Sequence, residues 1–206
     1  MLFVPAGSLR FWQGWVFMAM FGILASSSFL YFYKHDPKLI ERRLQTKETI
    51  SVQRRLVGLL KLLMIVAFLL PGFDYRFGWS RTYLEAVPLW LVLLSQALVL
   101  ASLVFVLWVM KTNTFAGSTI RVEARQQVIS TGPYSLVRHP MYLGSIVMLL
   151  AIPLALGSYV SLPVFALTIP FYIFRLLKEE EVLRGELVGY PEYCSHTRFR
   201  LIPFVW

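Results

Sequence analysis

The stretch that decides the fold is PMYLGSIVMLLAIPLALGSYVSLPVFALTIPFYIFRLL, residues 140–177. It contains a single charged residue, Arg175, close to its end. Gly157-Ser158 divides it into two apolar arms, residues 140–157 and 158–177, each near the length of about 20 residues that a membrane-spanning helix needs. The pattern predicts a helical hairpin whose two arms lie side by side and whose two open ends emerge on the same face. We expect kinks at the prolines inside the arms, which are Pro153, Pro163 and Pro170.

The composition of the whole chain is that of a multi-pass membrane protein. Of its 206 residues, 57% are hydrophobic and only 15% are charged, whereas soluble domains carry about 25% charged residues. This composition excludes a disordered chain, a coiled coil and a disulfide-rich module, and the single Cys194 cannot form an intrachain disulfide. Three further apolar segments, residues 11–33, 56–70 and 86–110, have the character of membrane spans. The sequence therefore predicts an all-α integral membrane protein with about five transmembrane helices.

The distribution of positive charge predicts the orientation of these spans. Segments 34–55, 111–140 and 175–206 together carry sixteen Lys and Arg residues, whereas the opposite side carries three. By the positive-inside rule, the N-terminus lies outside and the C-terminus lies in the cytoplasm, which agrees with an odd number of spans. The net charge of +9 then belongs to cytoplasmic loops, and no nucleic-acid partner is expected. We divide the chain into residues 1–110, with spans one to three and the cytoplasmic loop 34–55, and a catalytic region, residues 111–206.

Two shorter segments between the spans also have recognisable patterns. Asp36-Pro37 is typical of a capped helix start and predicts a short surface helix that extends to Leu44. DYRFGWS, residues 74–80, is expected to form an outer loop with aromatic side chains at the membrane interface.

Polar residues concentrate at the two open ends of the predicted hairpin. The first cluster, TGPYSLVRHPMY, covers residues 131–142, and the second, RLLKEEE, covers residues 175–181. If the hairpin forms, the two clusters meet in space. Pro140 can start a helix whose N-terminal N–H groups favour an anion, and Arg175 and Glu179 share one helix face. The plain alternative is an interfacial aromatic belt with surface salt bridges.

The second half of the chain resembles the isoprenylcysteine carboxyl methyltransferase family, whose wider relatives include phospholipid N-methyltransferases. The resemblance is carried by GPY at 132–134, RHPMYLG at 138–144, EExxL at 179–183, GYPEY at 189–193 and RLIP at 200–203. Weaker likenesses to bacterial members lie upstream, in DPxLxxRR at 36–43 and FDxRFGWS at 73–80. The chain departs from the family at Leu187 and Val188, where many members have an aromatic residue and a glycine, and at Gln126, a histidine in some eukaryotic members.

The resemblance implies S-adenosylmethionine as the methyl donor, bound in a cytoplasmic C-terminal pocket built from the RHP segment and the helix of the EE pair. Carried over by position, the residues expected at the cofactor are Gln126, Gln127, Val128, Ile129, Tyr134, His139, Pro140, Met141, Tyr142 and Glu179. Residue chemistry adds Glu180 and Arg138, the latter as a partner of the donor carboxylate. Arg175 is expected nearer the methyl acceptor, as the catalytic residue that holds an acceptor carboxylate through a bidentate contact.

These expectations describe a membrane-embedded methyltransferase that methylates the carboxylate of an isoprenylcysteine-like or other lipidic acceptor. A carboxylate is already ionised near neutral pH and needs no general base, whereas an amine acceptor must lose a proton. Three alternatives remain open: N-methylation of a phospholipid or small lipid, a nicotinamide-dependent enzyme similar to sterol reductases with their Arg-His-x-x-Tyr motif, and a non-enzymatic membrane scaffold.

The expected partners of the chain are the bilayer and a lipidic, prenylated methyl acceptor. Scattered histidines without ligand spacing argue against a metal. The bacterial-looking motifs favour a bacterial inner membrane over the endoplasmic reticulum as the location of the chain.

Overall fold

The computed structural model describes residues 2–44, 51–120, 122–123 and 126–206, and all regular structure within these residues is helical. A 3₁₀ turn at Gly132–Ser135 precedes the hairpin. The all-α class predicted from the sequence is confirmed. The α-helices are α1 (Phe3–Ala6), α2 (Trp12–His35), α3 (Pro37–Leu44), α4 (Ser51–Phe77), α5 (Trp79–Tyr83), α6 (Leu89–Thr112), α7 (Pro140–Ala155), α8 (Leu162–Ala166), α9 (Ile169–Glu186) and α10 (Tyr190–His196).

Three helical segments are long and apolar enough to cross a membrane, namely Trp12–His35, Val57–Phe77 and Leu89–Thr112. They coincide with the three spans that the sequence predicts before the hairpin, and the second runs on through Pro71 to Phe77. The first arm of the hairpin, α7, is apolar but has only 16 residues. The total of five spans therefore stays a prediction.

The predicted hairpin is present, and its turn lies where the sequence places it. α7 begins at Pro140 and ends before Gly157, whose φ of 73° lies in the left-handed region that favours glycine. The Ser158 N–H donates to the Pro153 carbonyl (2.9 Å) and so closes the end of the helix. The chain then turns back toward the end from which α7 started.

The second arm of the hairpin differs from the single span predicted over residues 158–177. It consists of α8 and α9, which are separated at Leu167-Thr168. The Thr168 hydroxyl and N–H both donate to the Phe165 carbonyl (2.6 and 3.0 Å), and Pro170 has no N–H with which to continue the helix. α9 extends to Glu186, nine residues beyond the predicted end of the span at residue 177. The second polar cluster, residues 175–181, therefore lies on a regular helix.

Close packing against α6 fixes the first arm of the hairpin. A Cβ added at Gly144 would lie 2.9 Å from Phe105 Cδ1 and 2.9 Å from Val106 Cγ2, so only glycine allows this approach of α7 to α6. Near the turn, the buried Gln96 Nε2 donates to the Ala155 carbonyl (3.3 Å). This contact also satisfies a backbone acceptor in an apolar environment.

A polar cluster locks the hairpin turn to α4 and α5. Residues 74–80, expected to form a loop, instead end α4 and begin α5, and Gly78 joins the two helices with a φ of 68°. Asp74 accepts hydrogen bonds from the Ser80 N–H (2.7 Å) and hydroxyl. Ser80 Oγ in turn accepts the N–H groups of Tyr159 (2.9 Å) and Val160 (3.3 Å). These buried bonds explain why a serine and an aspartate occupy an otherwise apolar region.

At the opposite end, α3 is the short helix that Asp36-Pro37 predicts. Asp36 Oδ1 accepts the Leu39 N–H (3.1 Å), which is the expected N-cap bond. Arg42 holds Glu123 through two contacts (2.8 and 2.7 Å), and Ser118 Oγ donates to the Arg43 carbonyl (2.7 Å). Segment 113–120 is thereby fixed to α3 near the open ends of the hairpin.

Candidate active site

A cavity of about 730 Å³ lies at this end of the helices, lined by α3, α4, α7, α9, α10 and the segments between α6 and α7. The α4 wall is mainly apolar and comes from the beginning of a candidate membrane span, with Val57, Leu60, Met64 and Ile65 beside the charged Lys61. Most polar residues come from segments around the two clusters at the hairpin ends. They include Asn113, Gln126, Gln127, Tyr134, Arg138, His139, Tyr142, Arg175 and Glu179.

The two polar clusters meet, as the hairpin predicts. Tyr142 Oη, in the first turns of α7, donates to Glu179 Oε2 on α9 (2.6 Å). One turn earlier on α9, Arg175 lines the same cavity and its Nη2 donates to the Ser118 carbonyl (2.5 Å). A carboxylate, a phenol and a guanidinium are thus brought together by residues that lie far apart in the sequence.

Tyr134 lies in the 3₁₀ turn and is held at both its backbone and its side chain. Its hydroxyl accepts a hydrogen bond from Asn113 Nδ2 (3.0 Å), and its carbonyl accepts one from Tyr193 Oη (2.7 Å). Burial raises the pKa of Tyr134 to about 12, so the phenol is neutral at physiological pH. It can act as a hydrogen-bond donor or present its aromatic face to a bound cation.

His139 is the N-cap residue of α7 and lines the cavity as a neutral imidazole. Burial lowers the pKa of His139, and the nearby charges of Glu179 and Glu180 do not overcome this effect. Its backbone N–H donates to the Arg200 carbonyl (2.9 Å), which fixes the residue from the C-terminal tail. Its Nε2 is buried and has no hydrogen-bond partner in the described part of the chain, and a ligand group would satisfy it.

Arg138 lines the cavity but its charge is already neutralised. Its guanidinium forms an ion pair with Glu180 (3.1 Å), and both side chains are almost fully buried. Glu180 also accepts from Arg200 Nε (2.6 Å) and pairs with Arg184 (3.3 Å). Burial alone would raise the pKa of Glu180, but the hydrogen bond from Arg200 and the charge of Arg138 lower it below its usual value.

The structure separates the two glutamates that the sequence groups together. Glu179 faces the cavity, whereas Glu180 is not among the residues that line it and instead connects the RHP segment to the tail. Pro140 does not line the cavity either, because it serves as the first residue of α7. The remaining predicted cofactor residues all line the cavity: Gln126, Gln127, Val128, Ile129, Tyr134, Arg138, His139, Met141, Tyr142 and Glu179. Whether each contacts a cofactor stays a prediction.

The departures from the family pattern have clear positions. Leu187 is buried and lines the cavity, whereas Val188 is 92% exposed and contributes nothing to it. Gly189 follows with a φ of 83° and starts α10, which packs against Tyr134 through Tyr193. The Gln126 side chain accepts the Glu123 N–H (3.1 Å) and so organises its own loop.

Several cavity residues were not predicted from the sequence. Arg43 of α3 belongs to an upstream motif that was given no role, Lys61 of α4 lies outside the motifs, and segment 115–120 carries no recognisable pattern. A partial signal for the first is the Arg42-Arg43 pair in the upstream likeness, but its spacing does not indicate which arginine faces a site. Among the described residues, no three His, Cys, Asp or Glu side chains form a group that could hold a metal ion.

Comparison with known proteins finds a family match for the central part of the chain, which carries many of the cavity residues. Residues 90–186 match the phospholipid methyltransferase family, which is just under half of the chain. The Delta(14)-sterol reductase of Mus musculus is 33% identical over 94 residues, which make up 43% of this chain and 22% of the reductase. The chain therefore spans about a fifth of the length of the curated relative that it matches. The family match covers α6 from its second residue, the hairpin and all of α9.

Proposed function

We propose that this chain is a membrane-embedded, S-adenosylmethionine-dependent methyltransferase that methylates the carboxylate of an isoprenylcysteine-like or other lipidic acceptor. The observation that carries the proposal is the convergence of Tyr142, Glu179 and His139 on one cavity within the segment that matches the phospholipid methyltransferase family. The same convergence agrees with the pocket that the isoprenylcysteine methyltransferase resemblance implies.

The cavity fits the methyl donor in size and in chemistry. Its volume of about 730 Å³ lies within the range of roughly 300–1,000 Å³ that is usual for ligand pockets. Buried polar atoms without partners, such as His139 Nε2 and Tyr190 Oη, indicate that a polar ligand is expected there. Glu179 is placed to hold an ammonium or ribose hydroxyls, and the first turn of α7 is placed to hold a carboxylate. Tyr134 and Tyr142 can face a sulfonium.

The charge of the cavity supports an anionic acceptor. Among the described residues that line it, one, Glu179, is a carboxylate and four are cationic (Arg43, Lys61, Arg138 and Arg175), of which Arg138 is paired with Glu180 outside the cavity. An amine acceptor would meet mostly like charge, whereas a carboxylate finds the Arg175 guanidinium, whose planar fork binds it through two hydrogen bonds. S-adenosylmethionine supplies an activated methyl group, so its transfer to a carboxylate oxygen needs no general base. The contribution of the chain is then mainly positioning and charge.

The position of the cavity supports a lipidic acceptor. Its α4 wall belongs to a candidate membrane span, and Ile65 in that wall is half exposed. Phe171 and Tyr172 of α9, in the second arm of the hairpin, also line the cavity. The hydrocarbon tail of an acceptor that enters from the bilayer would meet the apolar side chains of α4 and α9, while the carboxylate of the acceptor meets Arg175.

Orientation and domain division follow from the same proposal. The catalytic region, residues 111–206, supplies most of the described cavity wall, and residues 1–110 supply the α3 and α4 side of it. We assign the cavity to the cytoplasmic face, where the donor is available, with the N-terminus outside and the C-terminus inside. The bacterial inner membrane is the location that the upstream motifs favour.

The donor assignment is tested by calorimetry of S-adenosylhomocysteine with the detergent-purified protein, alongside Glu179→Gln and His139→Ala. We expect saturable binding that weakens about 10- to 100-fold in Glu179→Gln, since a charge-assisted contact is lost. Lys178→Gln is a matched control, because its side chain is exposed and pairs with Glu181 instead. No binding to a folded wild-type sample contradicts the proposal.

The acceptor assignment is tested with labelled donor and two classes of lipid. A small prenylthio acid such as N-acetyl-S-farnesylcysteine should accept the methyl group, and its methyl ester, with the carboxylate blocked, should not. Methylation of phosphatidylethanolamine instead would replace the carboxylate with an amine acceptor and leave the donor assignment intact.

A nicotinamide-dependent reductase is the second candidate function, because the matched relative is a sterol reductase. The reductase and the methyltransferase differ in the cofactor that they bind. Saturable binding of NADPH in place of S-adenosylhomocysteine, weakened by His139→Ala, would decide for the reductase.

A further inference from the structure

We propose that Arg43, in α3, binds the carboxylate of the donor's amino-acid group. The inference rests on the proposed function, because it concerns how the same cavity holds S-adenosylmethionine. Arg43 lies well upstream of the matched segment, residues 90–186, and neither the family motifs nor residue spacing assigns it a role. Its side chain nevertheless lines the cavity.

The Arg43 guanidinium lies in this cavity without adequate partners. Within the described residues, its buried Nε makes no hydrogen bond, and the partner of its Nη2 is the sulfur of Met141 (2.8 Å), which is a weak acceptor. Arg43 forms no ion pair with any carboxylate in the described part of the chain. The side chain is part-buried, and a buried N–H without a hydrogen bond costs free energy, so this arrangement indicates that an anion completes the site.

The surroundings of Arg43 belong to the donor end of the cavity. Met141 stands in the first turn of α7, whose N–H groups favour an anion. Burial lowers the pKa of Arg43, and the proximity of Tyr134 and Glu179 acts in the opposite direction. A carboxylate at this point would therefore lie between the helix N-terminus and a charged guanidinium.

The backbone of Arg43 is fixed, so its side chain is positioned in advance. Ser118 Oγ donates to the Arg43 carbonyl (2.7 Å), and the Ser118 N–H donates to the Arg42 carbonyl (3.3 Å). Arg42 is itself anchored to Glu123 by a bidentate pair. Since α3 is anchored at Arg42 and at the Arg43 carbonyl, the Arg43 side chain starts from a fixed point, which lowers the entropic cost of binding a ligand.

The neighbouring basic residues are less suited to this role. Arg138, which the sequence assigns to the donor carboxylate, is already paired with the buried Glu180 (3.1 Å). His139 is neutral, because burial lowers its pKa. Arg175 donates to the Ser118 carbonyl and faces the part of the cavity that we assign to the acceptor. Arg43 therefore supplies positive charge that no described carboxylate neutralises.

The test compares two ligands that differ only in the carboxylate: S-adenosylmethionine and decarboxylated S-adenosylmethionine. Binding of each is measured by calorimetry to the full-length protein and to Arg43→Gln, Arg43→Lys and Lys38→Gln. In Arg43→Gln we expect the affinity for S-adenosylmethionine to fall about 10- to 100-fold, with the affinity for the decarboxylated ligand within about twofold of wild type. Arg43→Lys keeps the charge but loses the fork, so its loss should be smaller. Lys38→Gln removes an exposed charge from the same helix and should change neither affinity.

Each other outcome contradicts the inference in a distinct way. Equal weakening of both ligands would make Arg43 a structural residue, and unchanged binding of both would exclude a carboxylate contact. In those cases the wild-type protein still binds the donor, so the proposed function stands. If the folded wild-type protein binds neither ligand, the inference and the proposed function both fail. If Arg43→Gln does not fold, Arg43→Lys supplies the same comparison.

Discussion

Replacing Glu180 with glutamine tests the view that this residue holds the site together without contacting the cofactor. The Glu180 and Arg138 side chains are only 4% and 5% exposed, so the change leaves a buried arginine without its counter-ion. Breaking a buried pair in this way costs about 3–5 kcal/mol. The lost ion pair between Glu180 and Arg184 adds little, because the Arg184 side chain is 46% exposed. For a chain of this size, the expected fall in Tm is on the order of 10 °C.

The buried thiol of Cys194 allows the loss of stability in Glu180→Gln to be measured in the C-terminal region. It is the single cysteine and is buried in the cluster that contains Tyr134 and Tyr193. A thiol-reactive fluorophore added during heating therefore reports the opening of the C-terminal region in detergent. Glu181→Gln is the matched control, because its side chain is 67% exposed and it should leave the labelling transition unchanged.

The reasoning also fixes the pH dependence and the result that would refute it. The pKa of Glu180 is lowered in the folded protein, so the stabilisation is present above its unfolded value near 4.5 and is lost as the pH falls through the folded value. Acid should therefore destabilise the wild type more than Glu180→Gln. If Glu180→Gln kept the wild-type labelling transition but lost donor binding, Glu180 would be a cofactor ligand and our assignment would be wrong.

Three further predictions concern packing, the hairpin turn and titration. Gly144→Ala places a methyl group 2.9 Å from Phe105 and should lower the free energy of unfolding by about 1–3 kcal/mol. Gly185→Ala is the control, because no atom lies within 4 Å of the added methyl group. An unchanged Tm in both variants would contradict the close approach of α6 and α7. Ser80→Ala removes the acceptor of two backbone N–H groups and should cost about 1–3 kcal/mol in thermal denaturation; a wild-type Tm would show that these bonds contribute nothing. Burial lowers the pKa of His139, so the imidazole stays neutral between pH 6.5 and 8. Donor affinity measured by calorimetry should therefore change by less than about twofold over this range. A steep change would indicate a charged imidazole.

The meeting of the two polar clusters was predictable because it depends only on topology. A turn at Gly157 between two apolar arms returns the chain to the end from which it started, whatever the side chains do. The assignment of the glutamates was not predictable in the same way. Consecutive residues on a helix point about 100° apart, so Glu179 and Glu180 cannot face the same partner. Which of them faces the cavity depends on where Arg138 and the tail lie.

Arg43 marks the limit of what the sequence shows. It contacts Met141 across 98 positions of the chain, and no periodicity or spacing connects the two. Their contact depends on the docking of α3 through Ser118 and Glu123, which only the folded chain reveals. The break between α8 and α9 was missed for a related reason. Pro163 and Pro170 are compatible with a kinked span or with new helix starts, and local hydrogen bonds at Thr168 decide for the latter.

The donor and acceptor parts that we propose for the cavity depend on different kinds of sequence information. The donor part is built around His139, whose N–H and that of Arg138 donate to tail carbonyls at Arg200 and Phe199 (2.9 Å each). The motifs that carry the family resemblance at 138–144 and 200–203 meet at these bonds, and the donor can be proposed from sequence because that resemblance implies it. The acceptor part is bounded by α4, where the requirement is an apolar surface in the membrane that many sequences satisfy. The identity of the acceptor must therefore be read from the shape and charge of that wall, and Lys61 and Arg175 are the residues at which an anionic head group would be distinguished from an amine.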